Sequence, residues 1–251
     1  MIERVESSMQ PAGRRGCLVG VGVGPGDPEL LTLKAVRLIR SAEVVCYLAN
    51  GKGHSQARTI AALAFSDCRP NQIEVPIVMP FATDRTLANG AYDEAAAAIR
   101  THLDGGRDVV FICEGDPLFF GSFAYLLERL EGDYACQVVP GISSVNAAAS
   151  ALQRPLTMLR ESFAVISGRH SDQQIRQALT DHDSVVIMKA GQARPRILLL
   201  LAETGRSADA HYLEYIGRDN ERILPSVEGL DPVPGPYFSL FVVIRKERDR
   251  G

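Results

Sequence analysis

The sequence predicts an α/β protein made of two α/β lobes, and three observations predict it. Short apolar runs rich in Val and Ile alternate with amphipathic stretches along the chain, the pattern of strands followed by helices. The runs are continuous rather than alternating, as in strands covered on both faces. The composition is that of an ordinary globular protein, with 46% hydrophobic and 23% charged residues in 251, which excludes disordered and fibrous classes for the bulk of the chain.

Residues 1–15 contain no apolar segment and read as a mobile N-terminal arm, neither a secretory leader nor, with Glu3 and Glu6, a transit peptide. The expected strands of the N-terminal lobe (16–118) are Cys17–Val23, Val44–Leu48, Ile73–Val78 and Val109–Cys113. Helical patterns near Glu29–Ser41, Ser55–Ala64 and Thr86–Leu103 lie between them, so this sheet is expected to be mainly parallel. The boundary is placed in the Gly115–Gly121 segment, where Gly-Asp-Pro ends a strand and a helix pattern begins. The C-terminal lobe (119–251) carries helical stretches near Phe119–Leu130, Ser143–Leu152, Asp172–Leu179 and Arg194–Glu203. Its strands are Cys136–Val139, Phe163–Ser167, Ser184–Met188, Ala210–Tyr215 and Phe238–Ile244. Turn regions at Asn220–Glu221 and Gly229–Gly235 crowd the last strands and suggest a mixed sheet. Two such lobes would leave a cleft between them, at strand C-termini, as the active site.

Several function classes are disfavoured. With 27 Lys and Arg against 30 Asp and Glu, the net charge is −3, which argues against a nucleic-acid partner. The longest aliphatic run, Ile197 to Ala202, is far below the ~20 apolar residues of a membrane span. Cys17, Cys46, Cys68, Cys113 and Cys136 form no CxxC pair and are odd in number, so they read as core thiols of a cytoplasmic protein. The histidines are isolated, and no metal site is expected.

Three turns stand out, each after a strand. Gly22-Val23-Gly24-Pro25-Gly26-Asp27-Pro28 opens a helix, with Asp27 as N-cap, Pro28 in the first turn and Glu29 against the helix dipole. Its spacing is not GxGxxG, and its carboxylates would repel a pyrophosphate. Glu114-Gly115-Asp116-Pro117 ends a strand because Pro117 has no N–H to donate, and Asp116 can accept local backbone bonds. Val139-Pro140-Gly141-Ile142-Ser143-Ser144 leads a strand into a helix that either serine can cap. Singly, each is a tight βα connection; jointly, they point to a ligand site.

In this order, with Val186-Ile187-Met188-Lys189, Tyr212-Leu213-Glu214 and Arg222, the motifs resemble the tetrapyrrole (precorrin) methyltransferases over roughly residues 16–246. CEGDPLFFGSFAYLLERL, VPGISSVNAAASAL and PYFSLFVV resemble most the precorrin-2 C20-methyltransferase branch. The resemblance implies the two-lobed tetrapyrrole methylase fold, a homodimer, and S-adenosyl-L-methionine as methyl donor, with S-adenosyl-L-homocysteine as product. It implies cofactor contacts, largely through main-chain atoms, at Pro25, Glu114, Gly115, Asp116 and Phe119, and at Ser143, Ser144, Met188 and Ile216. Asp27 and Tyr237 are candidates for substrate binding, with Phe238 beside them. One departure is visible: Glu214-Tyr215-Ile216-Gly217 stands where members often have Glu-Arg-Ala-Thr, so a threonine hydroxyl is missing.

The activity so implied is methylation of the C20 meso carbon of precorrin-2, or its cobalt-bearing counterpart, in cobalamin biosynthesis. Another precorrin or uroporphyrinogen C-methyltransferase, or a non-catalytic ligand-binding relative, would carry the same turns. The donor's methyl is already activated on a sulfonium, so the protein's task is alignment. No residue announces itself as the base that removes the departing proton. The substrate is a polycarboxylate, for which Arg15, Arg37, Arg154, Arg160, Arg169 and Arg218 are candidate partners; His170 is a further loop residue that could touch it.

Overall fold

The computed structural model describes residues 14–80 and 85–246, without the side chain of Arg85; residues 1–13 of the expected arm lie outside that range. By Cα packing the chain forms two compact units. Of the described residues, those of 14–23 and 31–141 make up one, and 24–30 and 142–246 the other.

The first unit holds a five-stranded, all-parallel sheet. Its strands are β1 (Leu18–Gly22), β2 (Val44–Ala49), β3 (Ile73–Val78), β4 (Val109–Cys113) and β5 (Cys136–Val139), in the order β3-β2-β4-β1-β5. Side chains alternate between two cores, as a parallel strand covered on both faces requires. Leu18, Val109 and Phe111 pack with α4 (Arg85–Asp104) and α5 (Phe123–Leu130). Val19, Val21, Val110 and Ile112 pack with α1 (Leu33–Ser41), α2 (Gln56–Ile60) and α3 (Ala62–Phe65). The connection after β1 leads toward β2 and that after β4 toward β5, on opposite sides of the central pair. Opposed connections of this kind mark the strand ends where open α/β sheets bind ligands.

The second unit has a mixed sheet: β6 (Phe163–Ser167), β7 (Ser184–Met188), β8 (Ala210–Glu214), β9 (Arg222–Leu224) and β10 (Ser239–Ile244), in the order β6-β7-β10-β8-β9. Only β6 and β7 run parallel; β10 is antiparallel to both β7 and β8, and β8 to β9. Helices α7 (Asp172–Asp181) and α8 (Arg194–Glu203) cover one face, where Ile187, Tyr212 and Phe241 are buried. Helix α6 (Ser144–Leu152) covers the other through Val145 and Ala148 against Val186, Leu213 and Leu240.

The fold class is thus the expected one: a parallel and a mixed sheet, each in an α/β unit. Three details differ. The boundary expected at 118/119 differs from the packing division after Gly141, because β5 pairs with β1 and Phe123, Leu126 and Leu130 of α5 fill the first core. The helix expected from Glu29 begins only at Leu33. Asp27 caps a single 3₁₀ turn, Pro28–Leu30, through Glu29 N–H at 2.8 Å, and Thr32, in extended conformation, takes over as N-cap with its hydroxyl on Ala35 N–H at 3.1 Å. Strand β9 lies in a stretch too polar and short to stand out, between Asn220–Glu221 and Gly229; it exists by pairing with β8.

The five cysteines are all free. Burial pushes the Cys46 thiol up to about 12 and that of Cys113 higher still, so both are inert thiols of the core. Among the described residues, no group of three or more His, Cys, Asp or Glu is placed to hold a metal ion, and no helix is long and apolar enough to cross a membrane.

Candidate functional site

In the first unit the singled-out turns meet at the carboxyl ends of β1, β4 and β5. Gly22 pairs with Cys113, and Val21 with Val139. Three glycines close this end by backbone contact. A Cβ on Gly141 would stand 2.1 Å from the Gly115 carbonyl oxygen and 2.8 Å from Gly22 Cα; one on Gly22 would stand 2.4 Å from the same oxygen. No side chain fits there. Gly115 also holds φ +65°, in the left-handed region that costs other residues about 1–2 kcal/mol.

Asp116 ties the turns together. Its Oδ1 accepts Leu118 N–H at 2.9 Å and Phe119 N–H at 3.0 Å, and its Oδ2 accepts Gly141 N–H at 3.1 Å. The carboxylate therefore braces its own turn, as the sequence suggested, and also the distant Pro140-Gly141 turn, which it did not. Glu114 and Gly115 are half-buried, whereas Leu118, Phe119 and Phe120 are exposed. Phe119 meets Phe120 edge to face at 5.3 Å, and Phe120 has φ +56°. An exposed apolar edge beside a rigid main-chain turn is unusual for a mere connection.

In the second unit, Pro25 is buried and the segment around it packs on the turn after β8. A Cβ on Gly26 would stand 2.4 Å from the Ile216 carbonyl oxygen, and one on Gly217 (φ +74°) 2.8 Å from Asp27 N. Pro25, Asp27 and Ile216 are thereby brought together. Tyr215, at φ +53°, donates its N–H to Phe238 O at 2.9 Å, which places Tyr237 and Phe238 beside the same turn. Met188 pairs with Leu240, which also pairs with Leu213, and packs against the cluster that buries Ile216 and Val145. Lys189, directly after it, has φ +54°. Ser143 is the N-cap of α6, accepting Asn146 N–H at 3.4 Å and donating to Asn146 Oδ1 at 2.7 Å; Ser144 is the first residue of that helix.

The candidates are divided between the units: Glu114, Gly115, Asp116 and Phe119 follow β4 in the first; in the second, Pro25, Asp27, Ile216 and Tyr237 lie around the turn after β8, Met188 ends β7, and Ser143 and Ser144 open α6. Three features escaped the sequence reading. Gly22 and Gly141 lie in quoted motifs, but their mutual contact is a tertiary fact. The left-handed Phe120, Lys189 and Tyr215 are residue types that carry no warning of φ > 0. Arg194 was read only as a helix residue. It is buried, 3.5 Å from the equally buried Glu214, and its Nε donates to Val233 O at 2.5 Å. It joins the end of β8 to the loop that leads to Tyr237. Its signal was a cation just after the Lys189-Ala190-Gly191 turn.

Such an arrangement, a parallel and a mixed α/β sheet whose distinctive residues are strand-end turns, defines a protein of the ligand-binding α/β class. The chain matches the Tetrapyrrole (Corrin/Porphyrin) Methylases over residues 17–230 and belongs to that family. It is 39% identical over 234 residues to the cobalamin biosynthesis protein CobIJ of Mycobacterium tuberculosis, covering 90% of this chain but 45% of that protein; the chain thus spans about half the length of that relative. It is 35% identical over 236 residues to a precorrin-2 C(20)-methyltransferase of Sinorhizobium sp., covering 91% and 95% of the two chains. The fold is similar to that of a uroporphyrin-III C-methyltransferase of Thermus thermophilus solved with S-adenosyl homocysteine, with TM-score 0.65, 26% identity and coverage of 91% and 97%.

Proposed function

We propose that this chain is an S-adenosylmethionine-dependent methyltransferase acting at the C20 meso carbon of precorrin-2 or its cobalt form. The observation that carries the reading is its likeness over nearly the full length of the Sinorhizobium precorrin-2 C(20)-methyltransferase. A Salmonella typhimurium cobalt-precorrin-2 C(20)-methyltransferase, 32% identical with 91% and 96% coverage, supports the same ring position.

The strand-end residues suit the proposed cofactor. In the first unit they offer main-chain groups, the exposed ring of Phe119 and the carboxylates of Glu114 and Asp116; in the second, main-chain groups, the half-buried Met188 and the carboxylate of Asp27. Each set suits a cationic sulfonium with a purine ring and opposes a polyphosphate. When bound, S-adenosylmethionine supplies an activated methyl group. The Asp116 brace and the Gly22–Gly115–Gly141 contact hold the main chain of one turn in a single geometry. Gly26 and Gly217 do so for Pro25 and Ile216. Rigid placement of this kind is what in-line transfer to a carbon nucleophile requires. The homodimeric, cytoplasmic state expected from the resemblance belongs to the proposal.

The test is an anaerobic assay with precorrin-2 and methyl-labelled cofactor, with and without cobalt in the ring, followed by mapping of the labelled carbon. Label at C20 is expected. Label at another ring carbon overturns the position, and absence of transfer overturns the activity.

A further inference from the structure

Helix α8 opens with two arginines, Arg194 and Arg196, that hold opposite sides of one turn. This turn, residues 189–191, continues from Met188 at the end of β7. In the sheet, β7 lies between β6 and β10, so the turn has a neighbour on each side. On the β10 side it meets the loop before β10. A Cβ on Gly191 would stand 2.0 Å from the Pro236 carbonyl oxygen, and Gly191 O accepts Gly235 N–H at 2.8 Å. Arg194 ties that loop to α8 at Val233 O. On the β6 side it meets residues 168–170. Gly168 donates its N–H to Met188 O at 2.7 Å, and a Cβ on Gly168 would stand 2.8 Å from Lys189 O and 3.0 Å from Ala190 Cα.

Arg196 reaches across from α8 to this second neighbour. Its Nη2 donates to Gly168 O at 2.6 Å, and its Nη1 donates to His170 O at 3.0 Å and to the Asp172 carboxylate in the first turn of α7. Ser167 fixes the same residues from the other end: its hydroxyl accepts Arg169 N–H at 3.1 Å and its carbonyl accepts His170 N–H at 2.9 Å. A planar guanidinium that bonds two carbonyls at once sets their separation. With its charge met by Asp172, Arg196 holds main chain. The consequence falls on the turn after β7, where Lys189 stands at φ +54°. A left-handed residue of this type persists only while its surroundings hold it, and Gly168 is that surrounding on the β6 side.

Resting on the reading of Met188 as a contact of the methyl donor, we propose that Arg196 is a positioning residue for that contact. It holds residues 168–170, and through Gly168 they hold the main chain at Met188 in the geometry that binds the donor. Arg196→Met is expected to raise the Kd for S-adenosylhomocysteine about tenfold, with the KM for precorrin-2 at saturating donor within about twofold of the parent protein. Arg196→Lys keeps the charge without the planar fork and should fall between the two. Asp172→Asn removes the ion pair but leaves both carbonyl bonds, so its Kd should stay within about twofold of the parent. Arg206→Lys is the control for stability. Arg206 is buried and bonds the His182 and Asp183 carbonyls at the amino end of β7, so this variant should unfold more easily with an unchanged Kd.

Calorimetry with S-adenosylhomocysteine, urea unfolding and kinetics with precorrin-2 read all four variants, and Arg196→Gln replaces the methionine variant if that one does not fold. An unchanged Kd in a folded Arg196 variant overturns the positioning role. Equal losses of affinity in Arg196→Met and Arg206→Lys, or equal rises of Kd and KM in Arg196→Met, assign a general structural role and overturn it too. A loss in Asp172→Asn as large as in Arg196→Met puts the effect in the ion pair and overturns the path through the carbonyls. Each of these results leaves the methyltransferase reading intact. A parent protein that binds no S-adenosylhomocysteine removes that reading, and the inference with it.

Discussion

The two units build their strand-end turns by different physical means. In the first, the turns are shaped mainly by backbone meeting backbone: Gly22, Gly115 and Gly141 touch with no room for a Cβ, one carboxylate, Asp116, bridges two turns, and a single ordinary residue beside them, Phe120, is left-handed. In the second, glycine acts at Gly26 and Gly217, but the turns after β7 and β8 place Lys189 and Tyr215 in left-handed conformations, and a buried ion pair, Arg194–Glu214, secures the neighbouring loop. A turn made from glycine contact is rigid because nothing smaller exists. A turn made from strained ordinary residues is rigid only while its surroundings hold it. Each way of breaking this contrast has its own magnitude.

The largest effect is expected at the glycine contact. Gly141→Val puts a branched side chain 2.1 Å from a carbonyl oxygen that cannot yield without moving β4. It should cost more than about 3 kcal/mol and abolish S-adenosylhomocysteine binding, read by urea unfolding and calorimetry. The matching break in the second unit is Arg194→Met. It leaves Glu214 buried with Arg222, at 3.8 Å, as its remaining ion-pair partner among the described residues, and should cost about 3 kcal/mol. If the methionine variant were as stable as the parent, the pair would not be what holds the Val233 loop.

That contrast also explains what the sequence made legible. Five of the ten strands in the described residues could be read to the residue, among them Val109–Cys113, Phe163–Ser167 and Ser184–Met188, because they are continuous apolar runs bounded by polar or turn residues. The glycine turns were legible as motifs, since glycine and proline after a strand have few uses. Asp116 was legible as a turn residue from its place before Pro117. Its bond to Gly141, 25 residues away, was not, because pairing of β5 with β1 is what brings that N–H within reach. The left-handed Tyr215 and Lys189 were illegible for a related reason: tertiary packing imposes a φ that local preference opposes.

Asp116→Asn tests the brace more gently. The amide can still accept Leu118 and Phe119 N–H through its oxygen, but its NH₂ then faces Gly141 N–H, donor against donor. A loss of about 2 kcal/mol is expected, with a larger fractional loss of cofactor affinity than in a surface Asp→Asn control. At Lys189 the effect is smaller and its sign depends on the replacement. Lys189→Gly removes the left-handed strain but adds freedom to the unfolded chain, so it should stay within about 1 kcal/mol of the parent. Lys189→Val, branched at Cβ, should be destabilised by about 2 kcal/mol. Equal stabilities for the two would show that φ at this turn relaxes, and the contrast between the units would then be one of degree.

The smallest expected effect concerns acid. Asp183 accepts Ser162 N–H at 2.8 Å and the Ser162 hydroxyl at 2.9 Å, where the chain enters β6 and β7. These bonds, the backbone one first, hold its carboxyl below the usual range against a partial burial that pushes it up. In the first unit, burial pushes Glu74 up, but hydrogen bonds from Arg58 and Tyr47 and the Arg58 charge outweigh it and leave the carboxyl low. A carboxyl lower in the folded than in the unfolded state binds fewer protons when folded. Its stabilisation is therefore complete above the unfolded value, about 4, and is lost as pH falls through the folded one. Unfolding free energy followed from about pH 6 to pH 2 should decline in that window. Asp183→Asn should flatten the decline for the second unit and Glu74→Gln for the first. A slope unchanged in both variants would mean that neither bond set is stronger than the water it replaces. Both units would then owe their acid response to net charge, which rises from −3 as carboxylates protonate.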